Sequence, residues 1–109
     1  MTAPPAETPA SSLPEGNDAN VLRRSLTICN KRGLHARAAA KFVTLAERFG
    51  ASVEVEKDGQ SVSARSIMGL MMLGAGLGAT IELRAEGWDA KEAIEALSAL
   101  VEAGFHEQD

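Results

Sequence analysis

The stretch GLHARAAAKFVTLAERFG, residues 33–50, decides how this chain folds. From His35 onward it holds strong helix formers and no interior glycine or proline. Gly50 stands where a helix C-cap is expected. Ala39, Phe42, Val43 and Ala46 recur at helical spacing and mark one apolar face. Upstream, Leu26 and Ile28 alternate with Ser25, Thr27 and Cys29, the pattern of a half-buried strand. The stretch is therefore a strand-to-helix junction. It carries an isolated histidine, His35, with Arg37 two residues on, and Gly33 loosens the loop that would present the ring.

The rest of the chain extends this pattern. In ASVEVEKDGQSVSAR, Val53 and Val55 alternate with Glu54 and Glu56, Asp58-Gly59 forms a turn, and Val62 and Ala64 return, so the segment is a hairpin. SIMGLMML predicts a short helix with Ser66 as its N-cap and Leu70 and Leu73 in the core. ATIELRAEG alternates again, with Ile81, Leu83 and Ala85 on one face. WDAKEAIEALSALVEAG is a last amphipathic helix, with Ala93, Ile94, Leu97, Leu100 and Val101 as its stripe; Asp89 and Glu92 have capping-box spacing. The order β-α-β-β-α-β-α, with one apolar face per strand, predicts an α+β, two-layer open-faced sandwich. A four-stranded antiparallel sheet is covered on one face by helices.

Composition sets the class. The 109 residues suit one small domain, here 21–109, with a core short of aromatics. Residues 1–20 hold all four prolines among Ala, Ser, Thr, Asn and Gly, and are expected to form a disordered tail. One cysteine, Cys29, excludes an internal disulfide and is read as an inert strand residue. With no signal-like start and no apolar span, a cytoplasmic location is expected, with no membrane contact. The net charge of −4 argues against nucleic-acid binding. The bases Arg23, Arg24, Lys31, Arg32, Arg37, Lys41 and Arg48 cluster before residue 49, against the lone acid Glu47 in that segment. Such a segment suits a small anion, an acidic partner, or merely a solvated face. GAGLGA, residues 74–79, mimics a dinucleotide fingerprint but precedes a strand instead of a helix, so it is read as a connector. His106 lies in a polar tail and receives no role. No metal site and no cofactor are expected.

The chemistry converges on His35. The first turn of a helix has amides without intrahelical partners and carries the positive end of the dipole. The amides of Ala36, Arg37 and Ala38 would thus form an anion cradle, which Arg37 completes with a guanidinium. The positive field disfavours the imidazolium, so a neutral, nucleophilic ring is expected. A histidine that merely caps a helix explains the same residues, and spacing alone does not separate the two readings.

GLHARAAAKFV resembles the active-centre signature of HPr, the histidine-containing phosphocarrier of the bacterial phosphotransferase system. ARSIMGLMMLG resembles the segment carrying that family's regulatory serine. The resemblance runs from about Arg24 to Glu102, and the deduced element order is the family's. It implies that His35 is the phosphorylated histidine, on Nδ1, and Arg37 its partner. It implies that Ser66 is the serine which an HPr kinase/phosphorylase modifies in some lineages, and that Ile67, Met68 and Met71 dock partners, with Met72 open to a core role. The implied partners are enzyme I, charged by phosphoenolpyruvate, and enzyme IIA proteins, with the protein a monomer. The implied role is a co-substrate of the transfer chain, not an enzyme. Sugar transport and nitrogen regulation are both served by such carriers. The family has proline where this chain has Ala38, which leaves one more amide in the first turn and a less rigid helix start. Two other readings remain: a non-catalytic regulatory docking module on the same scaffold, and a small-molecule-binding α+β domain.

Overall fold

A computed structural model describes residues 21–107; the expectation of a disordered tail over 1–20 lies outside them. The elements are β1 (Val21–Thr27), α1 (Ala36–Ala46), β2 (Ser52–Lys57), β3 (Gln60–Ser63), α2 (Ile67–Met72), β4 (Thr80–Glu86) and α3 (Ala90–Glu102). A 3₁₀ turn over Gly104–His106 follows. The sheet order is β1-β4-β2-β3 and every pairing is antiparallel. The expected α+β sandwich is the observed fold.

Period-two alternation divides the sheet into two faces. Leu26, Val53, Val55, Ile81, Leu83 and Ala85 are buried beneath the helices. The opposite face carries charge: Arg84 reaches Glu54 at 3.2 Å and Glu56 at 3.7 Å, and Arg23 approaches Glu82 at 3.9 Å. These open pairs contribute little to stability individually. Their main effect is to keep the uncovered face wet. At the hairpin tip Asp58 (φ 53°) and Gly59 (φ 82°) both lie in the left-handed region, the geometry of a type I′ turn, as the Asp-Gly pair predicts.

The expected stripes are buried: Ala39, Phe42, Val43 and Ala46 on α1, and Ala93, Ile94, Leu97, Leu100 and Val101 on α3. Leu70 and Leu73 are core, as expected. Two local readings are corrected. α1 stops at Ala46, before Gly50, and Gly50 is not in the left-handed region. A Cβ on Gly50 would lie 2.8 Å from the indole nitrogen of Trp88, an 88% exposed side chain free to swing aside. Asp89 forms no capping box. Its carboxylate is buried and accepts from the Ala51 amide at 2.8 Å and the Gly50 amide at 2.9 Å. It ties the start of α3 to the α1–β2 connection instead of capping its own helix. Asp89→Ala leaves two amides without that acceptor. The expected loss is about 2–3 kcal/mol, read as a fall in Tm of roughly 10–20 °C in a thermal melt.

Candidate functional site

The chain leaves β1 at Thr27 and turns through Asn30–Gly33, where the Gly33 amide donates to the Asn30 carbonyl at 3.2 Å. Gly33 has φ +65°, and a Cβ there would overlap the Ala75 carbonyl oxygen and sit 2.7 Å from Gly76 Cα. Only glycine permits that approach. It lets the Leu34 amide donate to the Ala75 oxygen at 2.9 Å, fastening the loop before α1 to the segment after α2.

His35 is the N-cap of α1, with extended backbone (φ −75°, ψ 178°), and its side chain makes no capping bond. Its carbonyl accepts the helical bond from the Ala39 amide at 2.8 Å. The amides of Ala36, Arg37 and Ala38 thus form the first turn, as expected. Arg37 is exposed and makes no hydrogen bond or ion pair among the described residues, so its donors are uncommitted. Ala38 is fully buried, so the methyl that stands in place of proline packs into the core.

The ring of His35 is not surrounded by cations alone. Its Nε2 contacts Oε2 of Glu107, which lies beyond the 3₁₀ turn. The other carboxylate oxygen, Oε1, accepts from Asn30 Nδ2 at 3.0 Å, and the same amide donates to the Gly33 carbonyl at 2.9 Å. The hydrogen bond to His35 and then that from Asn30 hold the Glu107 carboxyl below the usual carboxylate range. Because the folded value is lowered, the stabilisation from this contact is complete above the unfolded value. It is lost as the pH falls through the folded one. The side chains of His35 and Glu107 are 14% and 12% exposed, so the carboxylate shields one edge of the ring.

Sequence reading missed Asn30 and Glu107. A signal for Glu107 was present: Gly104 (φ +64°) follows α3, and Phe105 after it is fully buried. A glycine then a hydrophobe after a helix marks a chain that turns back onto its own domain. Lys41 Nζ donates to the Phe105 carbonyl at 2.7 Å, which fastens the turn to α1. His106 is exposed and, with Arg37, Lys41 and Arg48, lines an open groove of about 520 Å³.

Ser66 is the N-cap of α2, its Oγ accepting from the Gly69 amide at 2.9 Å. Ile67, Met68 and Met71 are 40%, 69% and 41% exposed; Met72, for which a core place was open, is 67% exposed and belongs to the surface. α2 packs against α1, which places this apolar helix beside the one that begins at His35. Cys29 is exposed, with its Sγ 3.4 Å from the Val101 carbonyl. Among the described residues there is no cluster able to hold a metal and no helix long and apolar enough to cross a membrane.

Comparison with known proteins gives these residues a context. The family described as "PTS HPr component phosphorylation site" matches residues 22–103. The "Phosphocarrier protein HPr" of Cupriavidus necator is 49% identical over 80% of this chain and 98% of its own length. The "Phosphocarrier protein NPr" of Shewanella violacea is 49% identical over 79% of this chain and 94% of its own. Among solved structures, HPr from Thermoanaerobacter tengcongensis superposes with a TM-score of 0.77 at 48% identity, covering 81% of this chain and 99% of that one. Bacillus subtilis Crh, described as a swapped, intertwined dimer, gives a TM-score of 0.63 at 50% identity, over 68% and 85% of the two chains. With four-fifths of its length matched at about half identity and the same sheet and helix order, the chain belongs to the HPr family of the phosphotransferase system.

Proposed function

We propose that this protein carries a phosphoryl group on His35, accepting it from phospho-enzyme I and passing it to a histidine of an enzyme IIA protein. One observation carries the reading. His35 stands at the N-cap of α1, two residues before Arg37, whose guanidinium has no partner among the described residues, and both lie within residues 22–103, which the family model matches. His35 Nδ1 attacks phosphorus as the donor's P–N bond breaks. The amides of Ala36 and Arg37 and the Arg37 guanidinium face the equatorial oxygens, where the charge resides; the Ala38 amide, expected in the same cradle, belongs to a fully buried residue and is out of reach. Transfer onward reverses the roles of the two imidazoles. The protein is a co-substrate of each step and turns over no substrate of its own.

Ile67, Met68 and Met71 dock the partners. Exposed methionines adapt to more than one surface, and the Arg37–Lys41–Arg48 groove suits acidic partner residues. The protein works as a monomer in the cytoplasm, and light scattering should return a mass near 11.4 kDa; twice that mass would assign it the dimeric habit described for Crh. Ser66 is the acceptor for an HPr kinase/phosphorylase: a dianion at the start of α2 is electrostatically tolerated there and adds negative charge to the helix that carries the docking face.

Intact-mass spectrometry at mildly alkaline pH tests the carrier role after incubation with enzyme I, Mg²⁺ and phosphoenolpyruvate. One acid-labile phosphate is expected. No phosphate, with enzyme I active on another HPr, would favour the docking-module reading. With HPr kinase and ATP, an acid-stable phosphate absent from Ser66→Ala is expected; its absence would leave Ser66 as a helix cap alone.

A further inference from the structure

Glu107 lies outside the matched family segment, 72 residues from His35 along the chain, yet its carboxylate meets the ring. Three fastenings put it there. Phe105 is fully buried, Lys41 holds the Phe105 carbonyl, and Asn30, itself 3% exposed, holds Oε1 while it braces the Gly33 carbonyl. Both carboxylate oxygens are therefore committed, one to the buried amide of Asn30 and one to the imidazole. A carboxylate accepts only, so the nitrogen facing it must carry the proton.

We propose that Glu107 is a positioning residue for phosphoryl transfer: it holds His35 in the Nε2–H tautomer and so leaves the lone pair on Nδ1, the nitrogen that attacks phosphorus. This rests on the carrier role proposed above and adds the group that prepares the nucleophile. The balance of the step is simple. The Nδ1–P bond forms as the donor's N–P bond breaks, and the proton on Nε2 stays in place throughout. The ring gains positive charge as it is phosphorylated, and the Glu107 carboxylate faces that charge at Nε2. Asn30 keeps the carboxylate from rotating away, as outer partners do for other working histidines. Arg37 and the first-turn amides serve the phosphoryl oxygens; Glu107 serves the ring.

The test uses the full chain, Glu107→Ala and Glu107→Gln. Nitrogen-15 NMR of the unphosphorylated proteins, at a pH where the ring is neutral, reads the His35 tautomer. The parent should be almost wholly Nε2–H, and Glu107→Ala should be a mixture. The rate of phosphate uptake from phospho-enzyme I at saturating carrier should fall roughly ten- to a hundredfold in Glu107→Ala, with the half-saturating concentration little changed. Glu107→Gln keeps the size and an acceptor oxygen. It should retain the tautomer but not the full rate, which separates the charge from mere packing. An unchanged tautomer in Glu107→Ala would overturn the proposal. So would a faster uptake in that variant, which would make the carboxylate a shield over the ring. If the parent takes no phosphate while enzyme I charges another HPr, the carrier role fails. The tautomer ratio still decides what Glu107 does to the ring.

Discussion

His35→Ala should take no acid-labile phosphate from phospho-enzyme I under conditions that charge the parent fully. The expected effect is complete because nothing nearby can replace the ring. Ala36 and Ala38 flank the site without nucleophiles, and the Arg37 guanidinium is a donor only. The variant should fold, since the His35 side chain makes no capping bond and its backbone is extended, a conformation alanine adopts freely. Intact mass with peptide mapping reads the result, and a thermal melt near the parent's excludes unfolding. The only other histidine, His106, is exposed on the 3₁₀ turn and is the natural control. Phosphate that persists in His35→Ala and maps to His106 would move the site to the groove beyond α3 and end the present assignment.

Gly33→Ala is expected to be the most damaging glycine-to-alanine change among the described glycines, since it meets backbone atoms more closely than any other there. At φ +65° an alanine is strained by about 1–2 kcal/mol before any contact is considered. Its Cβ would also overlap the Ala75 carbonyl, so the Ala75–Gly76 backbone must move and the Leu34–Ala75 hydrogen bond must lengthen or break. Together these effects amount to about 3 kcal/mol, or a fall in Tm of roughly 12–24 °C. Gly76→Ala supplies the control: its φ is not positive and nothing lies within 4 Å of the added Cβ, so its Tm should stay close to the parent's. Gly33→Ala should also slow phosphate uptake, because the displaced loop is the one that presents His35. A variant that melts with the parent would show that the 75–78 segment yields freely and that the loop is not fastened as described.

What could be read without coordinates was whatever repeats over short distances. Alternation over 25–29, 52–57 and 80–86 and the helical stripes of α1 and α3 declared which faces are buried, because pleat and helix pitch are properties of neighbouring residues. The Asp58-Gly59 turn and the Ser66 cap were legible for the same reason. The His35 and Arg37 pair stood out by motif and now lies at the N-terminus of α1, where the spacing had put it. Where local rules had a competitor, they failed. Asp89 has the spacing of a capping box, but two amides from another part of the chain offered its carboxylate a buried, charge-assisted pairing. Gly50 looked like a helix end, but α1 stops four residues earlier and Gly50 has no left-handed backbone.

Local periodicity, turn chemistry and one motif thus determined the sandwich, its covered face and the position of the histidine. The surroundings of that histidine were decided only by the tertiary structure. Glu107 and Asn30 sit far apart in sequence, and neither belongs to a repeating pattern. They meet at His35 because Phe105 is buried and Lys41 of α1 holds its carbonyl, which brings the turn after α3, and Glu107 beyond it, to the first helix. A hydrogen bond between residues 72 apart has no periodic signature, since it exists only after every intervening element has packed.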